Sequence, residues 1–234
     1  KAVETGACQY GVVPVENSTE GMVTHTLDLF VTSALNICGE VQMRIEQNLL
    51  THATQLSEVK KVYSHGQSLA QCRGWLAENL PEAELQMVAS NAEAARLAAE
   101  DASTAAIAGK MAAEVYGLPL RFAYIEDDGN NTTRFLVIGK QDIGVSGNDK
   151  TTILVSSHNR PGLLYKLLEP FGRYGVNMSR IESRPSKQGM WEYVFFMDLD
   201  GHQSEPNIQA LLAEIRETAS LLRVLGSYPK AALS

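Results

Sequence analysis

The first 140 residues alternate between short apolar runs that end in polar corners and longer stretches in which apolar residues recur at helical spacing. A short apolar run bounded by turn residues is typical of a strand, and a spacing of three or four residues is typical of a helix. The pattern predicts strands over residues 10–15, 36–50, 59–65, 83–90, 104–109 and 135–138, and helices over residues 22–33, 66–80, 91–100 and 110–118. This alternation of strand and helix favours layered α/β structure.

The order of elements changes after a short polar, glycine-containing stretch at residues 139–149, which predicts a linker. The pattern beyond it predicts strands over residues 150–157, 176–183, 190–201 and 221–228, and helices over residues 161–175 and 206–219. This βαββαβ order is that of a ferredoxin-like unit. We therefore predict a first domain over residues 1–140, a linker over 141–148 and a second domain over 149–234.

The composition indicates a soluble globular protein, with 44% hydrophobic and 20% charged residues. The net charge of -7 argues against a general nucleic-acid surface, and no apolar run approaches the roughly 20 residues that span a membrane. Three cysteines without a CxxC pair (Cys8, Cys38 and Cys72) favour reduced thiols in a cytoplasmic protein. The opening residues, which begin at Lys1, have the pattern of a helix leading into a strand, so we expect a fragment that lacks its front.

Polar corners at strand ends carry the candidate chemistry, because open α/β sheets bind ligands at such ends. The corners are residues 16–19, 64–67 and 131–134, and Ser18 or Thr19 is also a candidate cap for the next helix. Capping by Asn, Ser and Thr is the competing interpretation of each corner. The G-x-S-x-G nucleophile motif, a phosphate loop and a metal-binding histidine spacing are all absent, so no cofactor or metal is predicted.

Four segments, "VVPVENSTEG", "YSHGQSLAQC", "NTTRF" and "ESRP", occur in this order over nearly the whole chain. Together they resemble prephenate dehydratase followed by its ACT regulatory domain, above all the part of the bacterial bifunctional enzymes that follows chorismate mutase. The glycine-rich "GPxGTxS"-like opening of the family is not present. The resemblance implies a two-lobed catalytic domain like a periplasmic binding protein, with the site in the cleft, plus a ferredoxin-like ACT domain.

The resemblance also implies a reaction and its regulation. Prephenate would lose water and carbon dioxide to give phenylpyruvate, and phenylalanine would act as an allosteric inhibitor. A homodimer or homotetramer and an N-terminal chorismate mutase domain in the full-length chain are further expectations. Arogenate dehydratase and a non-catalytic amino-acid-sensing binding protein are the alternatives.

The resemblance assigns roles to residues at matching positions. Thr133 and Glu16 are the expected catalytic residues. The expected substrate-binding residues are Asn17, Ser18, Ser64, His65, Gln71, Arg134 and Phe135. The expected phenylalanine-binding residues are Arg160, Pro161, Gly162, Leu163, Leu164, Glu182, Ser183, Arg184 and Pro185.

The chemistry of the reaction suits these residue types. The departing ring hydroxyl needs a proton or a strong hydrogen-bond donor, and a positioned donor contributes roughly 10²–10⁴-fold to the rate. Thr133 suits donation of a hydrogen bond, and Glu16 suits proton transfer if burial favours its neutral form. Arg134 is a candidate to hold a substrate carboxylate bidentately or to brace the site.

The regulatory site follows from similar arguments. Pro161 suits the first turn of a helix, whose free N–H groups attract a carboxylate such as that of an amino acid. Glu182 is a candidate partner for the ligand's ammonium group, or for Arg180 or Arg184.

Overall fold

The computed structural model describes residues 1–19, 21–158, 160–185 and 193–231. Across these residues the chain has a mixed α/β fold, with one 3₁₀ turn at Leu56–Glu58. The helices are α1 (Ala2–Thr5), α2 (Thr24–Thr32), α3 (Gly66–Gln71), α4 (Arg73–Asn79), α5 (Asn91–Glu100), α6 (Lys110–Tyr116), α7 (Leu163–Arg173) and α8 (Pro206–Thr218). The strands are β1 (Gly11–Asn17), β2 (Gly21–Met22), β3 (Asn36–Arg44), β4 (Asn48–Leu50), β5 (Lys61–Ser64), β6 (Glu84–Met87), β7 (Thr104–Ala108), β8 (Leu120–Phe122), β9 (Thr132–Gly139), β10 (Asp149–Ser157), β11 (Met178–Pro185), β12 (Tyr193–Asp200) and β13 (Leu221–Pro229).

The chain divides into two compact units. Unit 1 consists of residues 1–43 and 133–234, and unit 2 consists of residues 44–132. Unit 1 thus joins the predicted regulatory domain to part of the predicted catalytic domain.

Unit 2 is built on a five-stranded sheet in the order β6-β5-β7-β4-β8. Strand β5 is parallel to β6 and β7, whereas β4 is antiparallel to β7 and β8. Helix α5 packs its alanine face on this sheet, where Ala94, Ala95 and Ala98 are fully buried. Small side chains allow the helix to approach the strands closely, which keeps the polar ends of β5 and α5 adjacent.

Unit 1 contains two sheets, in the orders β2-β1-β9-β3 and β11-β12-β10-β13. The second sheet and its two helices follow the predicted βαββαβ order, which confirms the ferredoxin-like unit. One face of this sheet packs on α7 and α8, around Ile153, Leu167 and Met197. The other face packs on the first sheet and α2, and the shared core there is Val15, Leu27, Phe30, Ile37, Leu136, Leu154, Val194, Phe196, Leu225 and Tyr228.

Two predicted elements are each split in the structure. The strand predicted over residues 36–50 is two strands in different sheets, β3 and β4, because the chain passes from unit 1 to unit 2 near residue 44. The helix predicted over residues 66–80 is divided into α3 and α4 at Cys72, whose φ and ψ of -115° and 17° are not helical.

Three predicted element ends were wrong. Helix α2 begins after Val23 without a side-chain cap, because β2 pairs with β1 between the predicted caps Ser18 and Thr19 and the helix. Strand β9 begins at Thr132, so Thr133 and Arg134 lie inside it. Helix α7 begins at Leu163 after the left-handed Gly162, so Pro161 precedes the helix. The turn predicted at 184–189 and the start of the strand predicted at 190–201 fall largely outside the described residues.

No helix among the described residues is both long enough and apolar enough to cross a membrane.

Candidate active site

The centre of the candidate site in unit 1 is a hydrogen bond between Asn17 and Thr133. These residues lie opposite each other on the antiparallel strands β1 and β9, and the Asn17 Nδ2 atom donates to Thr133 Oγ1 at 2.8 Å. The Asn17 Oδ1 atom accepts from the Thr19 backbone N–H at 3.0 Å, which sets the orientation of the amide. The Thr133 oxygen therefore accepts from Asn17, so its own hydroxyl hydrogen remains available for donation.

Glu16 precedes Asn17 on β1 and lies opposite Arg134 on β9. Its side chain is 42% exposed, and its Oε2 atom lies 3.9 Å from the Nε atom of Arg180. The burial expected of a proton source is therefore not present within unit 1 taken alone. Ser18 is exposed, and Phe135 is half-buried on β9.

Arg134 lies on the opposite face of β9 from Thr133, within the core of unit 1. Its Nε donates to Glu40 at 2.7 Å, its Nη1 to Asp198 at 2.6 Å and its Nη2 to Tyr228 Oη at 3.1 Å. All three of its nitrogens are thus engaged by strands β3, β12 and β13. This geometry supports the bracing alternative over a bidentate bond to substrate.

The environment of Arg134 fixes the charges of the groups around it. Burial opposes the ionised forms of Glu40 and Asp198. The Arg134 guanidinium, together with the other cations and hydrogen-bond donors around each carboxyl, outweighs burial and lowers the pKa of both. Burial likewise disfavours the Arg134 cation, but Asp198, Tyr228 and Glu40 together raise its pKa. Glu40, Asp198 and Arg134 therefore stay ionised at neutral pH. Together they form a rigid brace between the two sheets of unit 1.

In unit 2, Asn91 organises two of the predicted site residues. Ser64 is fully buried at the end of β5, and its Oγ atom lies 2.8 Å from the Ile107 carbonyl oxygen and 3.0 Å from Asn91 Oδ1. The same Asn91 oxygen accepts from the His65 backbone N–H at 3.1 Å. The His65 ring is exposed and caps α3 by accepting from the Gln67 N–H. The Ser64 hydroxyl is therefore occupied by protein groups.

Gln71, the third predicted site residue of unit 2, ends α3. Its Oε1 atom accepts from Gln47 Nε2 at 3.0 Å, and its backbone carbonyl accepts from the Asp127 N–H. Glu126, beside Asp127, receives the Gln47 N–H at 2.9 Å and pairs with Arg44 at 3.5 Å. This network ties the end of α3 to the segment before β9.

The predicted regulatory residues lie at the start of α7 and along β11. Arg160, Pro161, Gly162 and Leu164 are exposed, whereas Leu163 is buried in the core. Gly162 has a φ of 77°, so a branched residue there would strain the backbone whatever it did to a ligand.

On β11, residues alternate between the two faces of the sheet. Ser183 and Pro185 are exposed, whereas Arg180, Glu182 and Arg184 share the half-buried face that is turned towards β1 and α2. The Arg184 Nη2 atom bonds Asp28 of α2 at 2.9 Å.

The sequence analysis did not identify Glu40, Asn91 or Asp198 as important to the site. Glu40 and Asp198 are acidic residues inside apolar strands, which is a signal for a buried ion pair. Asn91 is the first residue of α5, whose cap is Ser90, which accepts from the Glu93 N–H.

Family models match both parts of the chain. The model described as prephenate dehydratase matches residues 1–143, and the ACT domain model matches residues 151–217. The bifunctional chorismate mutase/prephenate dehydratase of Neisseria gonorrhoeae (strain ATCC 700825 / FA 1090) is 52% identical over 236 residues, which cover all of this chain and 65% of that protein. This chain thus spans less than two thirds of that relative's length.

Two solved structures are similar to nearly the whole chain. Prephenate dehydratase from Arthrobacter aurescens in complex with L-Phe has a TM-score of 0.88 at 37% identity and is matched over 97% of this chain and 77% of that chain. GqqA, described as a novel type of quorum-quenching acylase, has a TM-score of 0.88 at 30% identity and is matched over 99% of this chain and 85% of that chain. The predicted fold class is confirmed, and the chain belongs to the prephenate dehydratase family and carries a C-terminal ACT domain.

Proposed function

We propose that this chain converts prephenate to phenylpyruvate, with loss of water and carbon dioxide, and that phenylalanine inhibits it through the ACT domain. The observation that carries the proposal is the Asn17–Thr133 hydrogen bond, which leaves the Thr133 hydroxyl hydrogen available for a ligand. Family membership supplies the reaction, and this geometry supplies a donor for the leaving group.

Thr133 acts by donating a hydrogen bond to the departing ring hydroxyl. The strands on both sides hold its side chain, and Asn17 fixes the direction of its lone pairs, so little reorganisation is needed when negative charge develops on the leaving oxygen. Loss of the carboxylate and the hydroxide makes the ring aromatic, so the substrate itself supplies much of the driving force. An apolar surrounding favours neutral carbon dioxide over the carboxylate.

The other site residues support this step. Asn17, Ser18, Phe135, His65 and Gln71 are proposed to bind substrate. Ser64, whose hydroxyl bonds Ile107 and Asn91, is proposed to hold its corner in place. Glu16 is the proposed proton source. For Arg134, we favour bracing of β9, since its three nitrogens bond Glu40, Asp198 and Tyr228.

Regulation rests on the ACT domain and on the exposed turn before α7. The backbone N–H groups around Gly162 are proposed to receive the phenylalanine carboxylate. The protein is proposed to be cytoplasmic and to assemble as a homodimer or homotetramer. Burial raises the pKa of the Cys72 thiol to about 12, which keeps that thiol unreactive.

The test is the formation of phenylpyruvate from prephenate by the purified protein, measured with and without phenylalanine. Arogenate is offered in parallel, with phenylalanine as the product to be measured. A protein of the same fold is described as an acylase, and fold alone does not select a reaction, so the product itself must be identified. Binding of phenylalanine without turnover of either substrate would instead support an amino-acid sensor.

A further inference from the structure

Arg180 connects the strand of the predicted phenylalanine site to the strand that carries Glu16 and Asn17. It lies on β11, and its side chain is only 12% exposed. Its Nη1 atom is 3.5 Å from Asp198 Oδ2, its Nη2 atom 3.5 Å from Met22 Sδ and its Nε atom 3.9 Å from Glu16 Oε2. One side chain thus reaches β12 of the regulatory sheet and both β1 and β2 of the catalytic sheet.

The contacts of Arg180 are long, unlike those of Arg134. Arg134 bonds its two carboxylates at 2.7 and 2.6 Å. The Nε atom of Arg180 is buried and has no hydrogen-bond partner among the described residues. A separation of 3.9 Å to Glu16 is too long for a hydrogen bond, and a buried donor without a partner is unfavourable. A displacement of about 1 Å would bring the pair to hydrogen-bond distance.

Arg180 also occupies the second-last place in a sequence of alternating charges, which we call the ion-pair chain. It runs Lys150, Glu40, Arg134, Asp198, Arg180, Glu16, with separations of 3.0, 2.7, 2.6, 3.5 and 3.9 Å. The first three pairs are short and buried, and the last two are long. Glu16, the most exposed member, supplies the third carboxylate for the three cations.

The position of β11 places the two long contacts of the ion-pair chain next to the predicted ligand site. Strand β11 is an edge strand of its sheet, and residues 182–185 of the predicted site begin two positions after Arg180 on it. Glu182 and Arg184 share the face of Arg180. A ligand that holds residues 182–185 therefore acts on the same short strand that positions the Arg180 guanidinium.

We propose that Arg180 is the positioning residue through which phenylalanine acts on the catalytic strand, by closing its contact with Glu16. This inference rests on the proposed function and names the route of its regulation. The closed ion pair restrains β1, the strand that presents Asn17 to Thr133. When this contact is open, Arg180 does not restrain β1.

The decisive variant is Arg180→Gln, which removes the charge and keeps a polar side chain of similar reach. Activity and heat of binding are both measured over a phenylalanine titration. Allosteric coupling is typically about 5–150-fold, and we expect it to fall below about twofold in this variant. Phenylalanine affinity and uninhibited turnover should stay within about threefold of wild type. Arg173→Gln is the matched control, because Arg173 pairs with Glu169 and Glu214 at the exposed surface of α7. It should be inhibited like wild type.

Three results would overturn the inference, and they have different meanings. Full inhibition of Arg180→Gln overturns the route through Arg180 and leaves the proposed function standing. Loss of the binding heat together with inhibition makes Arg180 a ligand contact or a residue needed for folding, which a thermal melt separates. A wild-type protein that forms no phenylpyruvate overturns the proposed function itself and this inference with it.

Discussion

Thr133 and Arg134 are neighbours on β9, yet the strand turns them to opposite faces with opposite character. On the Thr133 face a neutral amide orients a neutral hydroxyl, and the hydroxyl hydrogen is left over. On the Arg134 face the three guanidinium nitrogens are bonded to carboxylates and a phenol. A group that must act on a ligand needs unused hydrogen-bonding capacity, whereas a group that braces a core must have none.

The Ser64 corner of unit 2 extends this comparison. Ser64 and Thr133 both lie in polar corners of the sequence, but the Ser64 hydroxyl lies within bonding distance of Ile107 and Asn91. Its environment resembles that of Arg134 in this respect. Whether a hydroxyl in such a motif can act on a ligand thus depends on whether its hydrogen is already bonded within the protein.

The largest effect on stability should come from removing the charge of Arg134. Arg134→Met leaves Glu40 and Asp198 buried without their main partner, and we expect a loss of about 3–5 kcal/mol in the free energy of unfolding. Urea unfolding measures it, and Arg121→Met, at an exposed arginine, is the control. A normal stability combined with a KM for prephenate raised more than about tenfold would instead make Arg134 a substrate-binding residue.

Thr133→Ala, on the neutral face of β9, should lower activity more than stability, the reverse of Arg134→Met. We expect kcat to fall about 10²-fold or more, which corresponds to about 2.7 kcal/mol in the barrier, with a modest change in KM. The free energy of unfolding should change by only about 0.5–1.5 kcal/mol, the usual contribution of one hydrogen bond. Thr133→Ser restores the hydroxyl and should recover most of kcat. Turnover of the alanine variant within about threefold of wild type rules out the proposed role.

A third test addresses the joint between the sheets beside Arg134. A Cβ atom on Gly226 of β13 would overlap the backbone carbonyl oxygen of Ile37 on β3, and backbone cannot yield as a side chain does. Gly226→Ala should therefore cost about 1–3 kcal/mol of unfolding free energy or more. At Gly39 of β3 the nearest atoms to a Cβ are side-chain atoms of Val137 at 3.8 Å, so Gly39→Ala is a matched control that should be tolerated. Equal melting temperatures for the two variants would contradict the close approach of β3 and β13.

The smallest effect is a dependence of stability on pH. The pKa of Glu40 is lowered in the folded state, from an unfolded value of about 4.3, so its ion pairs stabilise the protein fully above that value. This contribution is lost as the pH falls through the folded-state value. Glu40→Gln should therefore differ most from wild type at neutral pH, and the difference should shrink in acid by about 1.4 kcal/mol for each unit of pKa shift.

The measurement is the free energy of unfolding of wild type and Glu40→Gln over a pH series. Glu78→Gln, at an exposed glutamate of α4, is the control and should show a constant difference from wild type. A constant difference for Glu40→Gln as well would mean that Glu40 is not held ionised by Arg134 and Lys150.

Much of the fold was predictable because its signals are local. The two-residue and helical periodicities located most elements, and the βαββαβ order identified the ferredoxin-like unit. Helix α6 ends at Gly117, which has a left-handed conformation typical of a glycine that terminates a helix. The predicted strand over residues 36–50 was wrong in its continuity, since alternation of apolar residues continues through Ile45 while the chain changes sheets.

The sequence by itself determined most of the elements and the family, and it nominated residues for the candidate site, because these follow from short-range patterns and motifs. Only the tertiary structure decided which partners the side chains of those residues have. The partners of Arg134 lie 94 and 64 positions away in the chain, at Glu40 and Asp198, and no local pattern relates them. Alternation along β9 implies that Thr133 and Arg134 face opposite ways. Which of them faces the core depends on the regulatory sheet that packs against β9. Packing therefore decides that Arg134 is the brace and that Thr133 keeps an unused hydroxyl hydrogen.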